Sequence, residues 1–491
     1  MLKILYTVAV TALLIGLLPA KDANGDTTGD RPNVLIILVD DMGYGDPQCF
    51  NTESKIPTPN IDSLAKSGMR FTDAHAPGPL CHMSRYGLMT GRYPFRINVN
   101  KWPKEPLIDE GETTIASLMS DAGYSTAMVG KWHVGFDEQG YDQDLNGGPV
   151  DVGFDSFFGI RASTDIPPYF YIRDRRAVTP PTQTIEASQS EGWSPIQGAF
   201  WRAGGIAPDL RLHDVLPRFA DEACKVIRDH QTATEQKPLM LYVAFPAPHT
   251  PWLPDEAYRG KSGADMYGDF TMMVDAMVGR ILKQLDESSM SNDTLVIFTS
   301  DNGPTWYEAD VKRLGHDSSG GLRGMKADAW EAGHRMPFVV RWPGVVKSGT
   351  ASDRLISFCD LLATLDEMVS AGRVSSESTS QAGPDSFSFL SELTGKPAGD
   401  RYPARESLVL KSGRGLMTMR RGQWKYIDGK GSGGFSERDP DAGLADEFPG
   451  QLYDLQSDRG ETTNVYADRA EVVETLKAEM KAIVQAGRSR N

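Results

Sequence analysis

Cysteine is scarce in this chain, with four in 491 residues, at Cys49, Cys81, Cys224 and Cys359, widely spaced and with no C-x-x-C pair. That pattern excludes a cysteine-built zinc cluster and a fold that depends on a disulfide framework. If Cys81 is committed to chemistry, three are left, so at least one thiol is unpaired or all are reduced. Histidine is nearly as rare, with eight. Positive charge is in deficit: 51 Lys and Arg against 66 Asp and Glu leave a net charge of −15. General nucleic-acid binding is thereby excluded, because phosphate contacts need clustered basic residues. A locally positive pocket for an anionic substrate stays compatible with an acidic chain. Low-complexity tails and short-period repeats are also missing. Beyond the first twenty residues, no apolar run is long enough to span a membrane.

Those first twenty residues read as an export signal. Lys3 gives a positive start, Ile4–Leu18 is uncharged and largely apolar, and Pro19-Ala20 precedes the polar Lys21-Asp22-Ala23-Asn24-Gly25. The apolar stretch is shorter than the ~20 residues of a spanning helix, so residues 1–20 are expected to be removed. The mature chain is then periplasmic or secreted, with no membrane span.

The remaining length predicts two packed units. Short β-branched runs at Asn33–Val39, Ser125–Val129, Leu239–Phe245, Thr294–Thr299 and Phe338–Arg341 have the character of strands buried on both faces. Helical patterns lie between them, at Ile61–Ser67, Thr113–Ala122, Val215–Asp229, Phe270–Asp286 and Ile356–Val369. The alternation predicts an α/β fold: a mostly parallel mixed sheet sandwiched by helices, over 31–385. After about residue 385 the pattern changes. Leu408–Lys411, Gly415–Arg420, Trp424–Ile427 and Leu452–Leu455 read as antiparallel strands, and Glu471–Gln485 as an amphipathic helix. Residues 386–491 are therefore expected to form a smaller α+β domain, with Gly429–Gly450 an exposed loop. The long Thr164–Gly205 segment is expected to shape a pocket.

Ligands of such sheets collect at the carboxyl ends of the strands, and the polar residues gather there. The first strand runs into Asp40-Asp41, the second into Lys131-Trp132-His133, the third into His249 and the fourth into Asp301-Asn302. Adjacent carboxylates at a buried rim repel without a cation. Asp40, Asp41, Asp301 and Asn302 are an all-oxygen set of the kind that favours calcium or magnesium. Cys81 opens a probable helix, where the macrodipole and unpaired amides can activate a thiol. A buried structural thiol and a disulfide with Cys49 are the alternatives.

Seven segments in order carry a family resemblance. They are Pro32-Asn33 through Asp46, Pro57–Asp62, Cys81–Arg92, Gly130–His133, Pro248–Pro251, Asp301–Gly303, and Gly324–Lys326 leading to Glu331, Arg335 and Pro337. Together they resemble the formylglycine-dependent sulfatases, in their arylsulfatase-like branch, with an alkaline-phosphatase-like fold. The resemblance implies hydrolysis of an O-sulfate ester on a sulfated small molecule or saccharide. It implies that a formylglycine-generating maturation enzyme oxidises Cys81 to an aldehyde, hydrated at rest. One geminal hydroxyl then attacks sulfur and the other expels sulfate, splitting one hard step into two. One Ca2+ would be held by Asp40, Asp41, Asp301, Asn302 and the side chain at Cys81. Arg85 would orient the formylglycine, Lys131 and Lys326 would hold sulfate oxygens, His133 would be the base and His249 the acid on the leaving alcohol.

The chain departs from the family pattern just after the cysteine. A small residue and then Pro or Ala are usual there; this chain has His82 and Met83, while Ser84 and Arg85 fit. His82 either enters the pocket or caps the helix, and the second is the favoured expectation. His75, Asp165, Tyr169, Trp252 and Trp306 fall in segments near the rim. Two competing functions are a related phosphatase or phosphonate hydrolase and a silent sulfate-ester binder in which Cys81 stays a thiol. A two-zinc phosphatase would need further Asp and His ligands and a Ser or Thr nucleophile.

Overall fold

The computed structural model describes residues 31–490, apart from 236, 371–382, 398–401 and 444–446. The expected signal segment, 1–20, lies outside the described residues. A ten-stranded mixed sheet forms the body. Its strands run in the order Thr350–Ser352, Met69–Phe71, Phe338–Arg341, Thr294–Ser300, Asn33–Asp40, Leu239–Pro248, Ser125–Lys131, Ser156–Ile160, Ile172–Arg173 and Arg176–Ala177. The five from Thr294–Ser300 to Ser156–Ile160 are mutually parallel. Phe338–Arg341 runs antiparallel to its neighbours on both sides, which makes the sheet mixed.

Near-continuous apolar sequence accounts for the central strands. Every residue of Leu239–Pro248 is buried, and so is all of Asn33–Asp40 except its first residue. Only strands covered on both faces tolerate such runs. Helices Val215–Gln231 and Asp265–Glu287 pack on each other and on Leu239–Pro248. Helices Cys81–Thr90 and Ile115–Asp121 pack instead on Asp360–Val369. Among the described residues no helix is long and apolar enough to cross a membrane.

Register decides where the polar strand ends fall. Asp40 stands beside Pro248, Val39 beside Ser300 and Ala244 beside Gly130, so four parallel strands end at one rim. The ladder shifts register between Leu38 and Asp40, where such a break can re-aim a side chain.

A second, antiparallel sheet pairs Ser407–Lys411, Met417–Arg421, Trp424–Ile427 and Gln451–Asp454 in that order. Helix Ala470–Ala486 covers it through Val473, Leu476 and Met480, three residues spaced for one helical face. A buried ion network joins this sheet to the main body. Arg420 forks onto Asp73 at 2.5 and 2.6 Å, and Lys425 lies 3.0 Å from Glu331 and 2.8 Å from Glu461.

Two expectations need correction. The helix read over Ile356–Val369 is split. Ile356–Ser357 pairs with Ala74–His75 as a short strand, and the helix starts at Asp360. The Asp360 carboxylate accepts the Ser357 N–H (2.8 Å) and the Phe387 N–H (2.8 Å), which fixes the break. The segment Gly429–Gly450 is not exposed throughout, since Gly431–Gly434 is buried. Glu437 gathers it by accepting from the amides of Ser432 and Gly433, and Asp328 accepts from the Ser436 amide and hydroxyl. A Cβ on Gly434 would stand 2.3 Å from the Ala327 carbonyl carbon, so only glycine permits this approach.

Candidate active site

At the rim, Asp40 is fully buried and accepts from Lys131 Nζ, from Arg85 Nη2 (3.4 Å) and from the Cys81 thiol (3.4 Å). Asp41 follows with φ of 64°, a left-handed conformation uncommon outside glycine, though one that Asp and Asn adopt more readily than most residues. Its carboxylate accepts from Lys326 Nζ (2.5 Å) and from Asn302 Nδ2 (2.6 Å). Asp301 accepts from Arg85 Nε at 2.9 Å. Arg85, itself 1% exposed, spends its remaining donor on the Lys131 carbonyl (2.8 Å). Three carboxylates thus balance three cations one to one.

The balance is local and uneven. Burial, with Asp40 alongside, lifts the Asp301 carboxyl to about 6, while Asp40 is held far below the usual range: burial opposes its ionisation, but Lys131 leads the cations that enforce it. Asn302 Oδ1 is buried and has no hydrogen-bond partner among the described residues. Ligand atoms of Asp40, Asp41, Cys81 and His249 lie within 4.8 Å of one another. An orphaned amide oxygen beside three clustered, buried carboxylates fits a hard divalent cation.

Cys81 is the first residue of helix Cys81–Thr90, whose Leu80 cap offers no side-chain bond to the amides. Lys326 Nζ donates to its sulfur at 3.2 Å. The macrodipole expectation fails here, because burial, reinforced by Asp40, pushes the thiol above its ordinary range. Cys81 therefore stays protonated and is a poor nucleophile in its own right. All four cysteines are unpaired, which removes the Cys49–Cys81 disulfide.

Lys326 sits on a loop pinned from two sides: its N–H bonds the Pro304 carbonyl (2.9 Å), and that of Ala327 the Pro79 carbonyl (2.8 Å). His133 takes a left-handed φ of 60°, packs its ring on Trp102 at 4.3 Å and lies with Nδ1 3.5 Å from Ser163 Oγ. Burial and the adjacent Lys131 keep it neutral. His249 donates Nδ1–H to the Thr250 carbonyl (2.7 Å), which turns Nε2 toward Asp41 at 3.7 Å.

Every residue read from the sequence as catalytic or metal-binding comes together here. His82 does not cap the helix. It lines the cleft above Cys81, stacks on Trp102 at 5.1 Å, and is lowered to about 4 by burial and by Lys131 and Lys326. The cleft, of about 210 Å³, is also walled by Trp102, Ser163, Asp165, Ile166, Ile196 and Arg202, with Phe435 from the second sheet's long loop. Four of these lie in the 164–205 segment. Of the residues grouped near the rim, only Asp165 reaches the cleft. His75 is buried in the Asp73–His334 network, Tyr169 bonds the Arg202 carbonyl behind the wall, and Trp252 and Trp306 pack around Tyr267. Trp102, Ile196 and Phe435 carry no motif or periodicity that would mark them as cleft-lining.

Comparison with known proteins follows this geometry. The Sulfatase family model matches residues 32–369. An N-acetylgalactosamine-6-O-sulfatase of Bacteroides thetaiotaomicron is 31% identical over 511 aligned positions, covering 96% of this chain and 97% of the relative. Arylsulfatase A of Homo sapiens is 31% identical over 494, covering 95% and 92%. A solved Bacteroides thetaiotaomicron structure, described with the metabolism of multiple glycosaminoglycans, superimposes with a TM-score of 0.78 at 30% identity, covering 93% of this chain and all of the other.

Proposed function

This chain belongs to the sulfatase family, and from that premise we propose that it is an exported hydrolase of saccharide O-sulfate esters, working through a formylglycine made from Cys81 and one Ca2+. The observation that carries the reading is the setting of Cys81. Its sulfur lies between Asp40 Oδ1 (3.4 Å), to which the thiol donates, and Lys326 Nζ (3.2 Å) at a helix N-terminus, where burial holds it above the ordinary thiol range. Such a thiol makes sense as a precursor. The aldehyde formed from it supplies an oxygen nucleophile, and a cation held by Asp40, Asp41, Asp301, Asn302 and the side chain at Cys81 supplies a Lewis acid.

The chain's own residues do the rest. Arg85, locked by Asp301 and the Lys131 carbonyl, holds the rim rigid beneath the reacting position. Lys131 and Lys326 stand on carboxylates that a cation would satisfy, which frees both ammonium groups for sulfate oxygens. A dication also turns a balanced cluster positive, and an anionic ester is what such a cluster attracts. His133, neutral and with Nδ1 facing Ser163, has Nε2 left to take up a proton from the side chain at Cys81. His249 gives Nδ1–H to Thr250, so it serves the leaving alcohol as the imidazolium, with a second proton on Nε2 beside Asp41. A saccharide is favoured because relatives at near-full coverage include a sugar sulfatase.

Mass spectrometry across Cys81, in protein from a host with the maturation enzyme, tests the reading. The expected result is a mass loss matching thiol-to-aldehyde conversion, together with sulfate release. An unmodified thiol without sulfate release would leave a silent sulfate-ester binder instead.

A further inference from the structure

Asp165 and Arg202 stand in the cleft wall and do nothing for the chemistry described so far. Asp165 is 5% exposed, and its Oδ2 takes Arg202 Nη1 at 2.5 Å. Its Oδ1 is buried and has no hydrogen-bond partner among the described residues. The His249 ring nitrogen that comes nearest, Nδ1 at 4.0 Å, gives its proton to Thr250. Arg202 uses Nη1 twice, on Oδ2 and on the Asp165 carbonyl (3.1 Å), and lays its guanidinium over Phe200 at 5.0 Å. Its side chain is half exposed, and Nε and Nη2 have no hydrogen-bond acceptor among the described residues.

We propose that Asp165 and Arg202 form a hydroxyl clamp that selects an O-sulfated sugar over an aryl or steryl sulfate, an inference that rests on the sulfatase reading above. An acceptor and a set of donors lie side by side. Two neighbouring ring hydroxyls meet that pattern: one donates to Oδ1 and the next accepts from the guanidinium fork. A steryl or simple aryl sulfate brings no hydroxyl pair and would leave Oδ1 unpaired, the kind of mismatch by which polar sites reject analogues.

The test uses the full chain produced with its maturation enzyme. Its substrates are N-acetylgalactosamine 6-O-sulfate, deoxy forms lacking one ring hydroxyl, and para-nitrophenyl sulfate. Asp165→Ala is expected to lower the sugar-over-aryl ratio of kcat/KM about 30-fold, mainly through KM. One deoxy sugar costs the wild type a similar factor and costs Asp165→Ala little more. Equal losses on both substrate classes would mean that Asp165 serves His249 instead, and would overturn the clamp. So would an unchanged ratio. Calorimetry of the sugar sulfate in a Cys81→Ser background, with and without Asp165→Asn, reads the clamp without turnover. A tenfold weakening by Asp165→Asn supports it, and unchanged affinity overturns it. Wild-type protein that turns over neither substrate class would sink the sulfatase reading alone.

Discussion

Arg85→Ala removes the one side chain that bonds Asp301, Asp40 and a backbone carbonyl at once. All of these groups are buried, and removing one partner of a buried ion pair costs about 3–5 kcal/mol. The cost should depend on pH. Burial, with Asp40 alongside, lifts the folded Asp301 carboxyl to about 6, against an ordinary carboxyl value of 3.8. Between those values the folded state binds more protons than the unfolded one, so stability falls as pH rises, by at most ~1.4 kcal/mol per unit. Without Arg85 the folded value moves higher still, and the fall extends toward alkaline pH. Denaturant melts in calcium-free buffer should therefore show a larger Arg85→Ala deficit near pH 8 than near pH 5, with the full ~3–5 kcal/mol reached only at the higher pH. Arg85→Lys keeps a charge but not the fork, and should recover part of the loss. A deficit below ~1 kcal/mol, or one flat in pH, would show that the guanidinium does not compensate these carboxylates.

Further predictions extend from the same contacts. Lys326→Ala should cut kcat/KM for a sulfate ester about 100-fold or more, as removal of one transition-state donor does. Because Lys326 stands on Asp41, the same variant should bind calcium at least as tightly as wild type in calorimetry; weaker binding would contradict its placement. Asn302→Ala should weaken calcium binding about tenfold, by analogy with loss of a group that supports a metal site. Burial lifts Asp275 to about 6 although it accepts the Asn60 and Ile61 amides. Stability should thus fall as pH rises from about 4 to 6, and Asp275→Asn should flatten that slope in melts. Replacing His82 and Met83 with a small residue and Ala should raise the aldehyde fraction at Cys81, measured by peptide mass spectrometry.

The strand ends were legible because buried parallel strands declare themselves by apolar runs, and Asp40, Lys131, His249 and Asp301 each follow one directly. Their convergence is a consequence of register, which places all four ends at one rim. The 164–205 segment was legible as a pocket wall, but most of the residues that line the cleft were not. Ile166, Ile196 and Arg202 sit on an aperiodic segment, and Phe435 on a Gly-rich loop whose burial depends on Asp328 and Glu437 catching its amides. His82 was misread for a related reason: no local pattern shows that Trp102, twenty residues on, supplies the surface it stacks against. The thiol of Cys81 illustrates the opposite error. Its place at a helix start was right, yet burial beside Asp40 raises the thiol above its ordinary range.

The central claim is that sulfate release depends on Cys81 carrying an aldehyde. It is tested most directly by preparing protein with graded maturation, measuring the converted fraction at Cys81 by mass spectrometry, and plotting sulfate release from a sulfated saccharide against it. The account predicts a straight line through the origin, abolished by Cys81→Ala. Sulfate release from protein whose Cys81 is entirely thiol, or none from fully converted protein with calcium present, would contradict it.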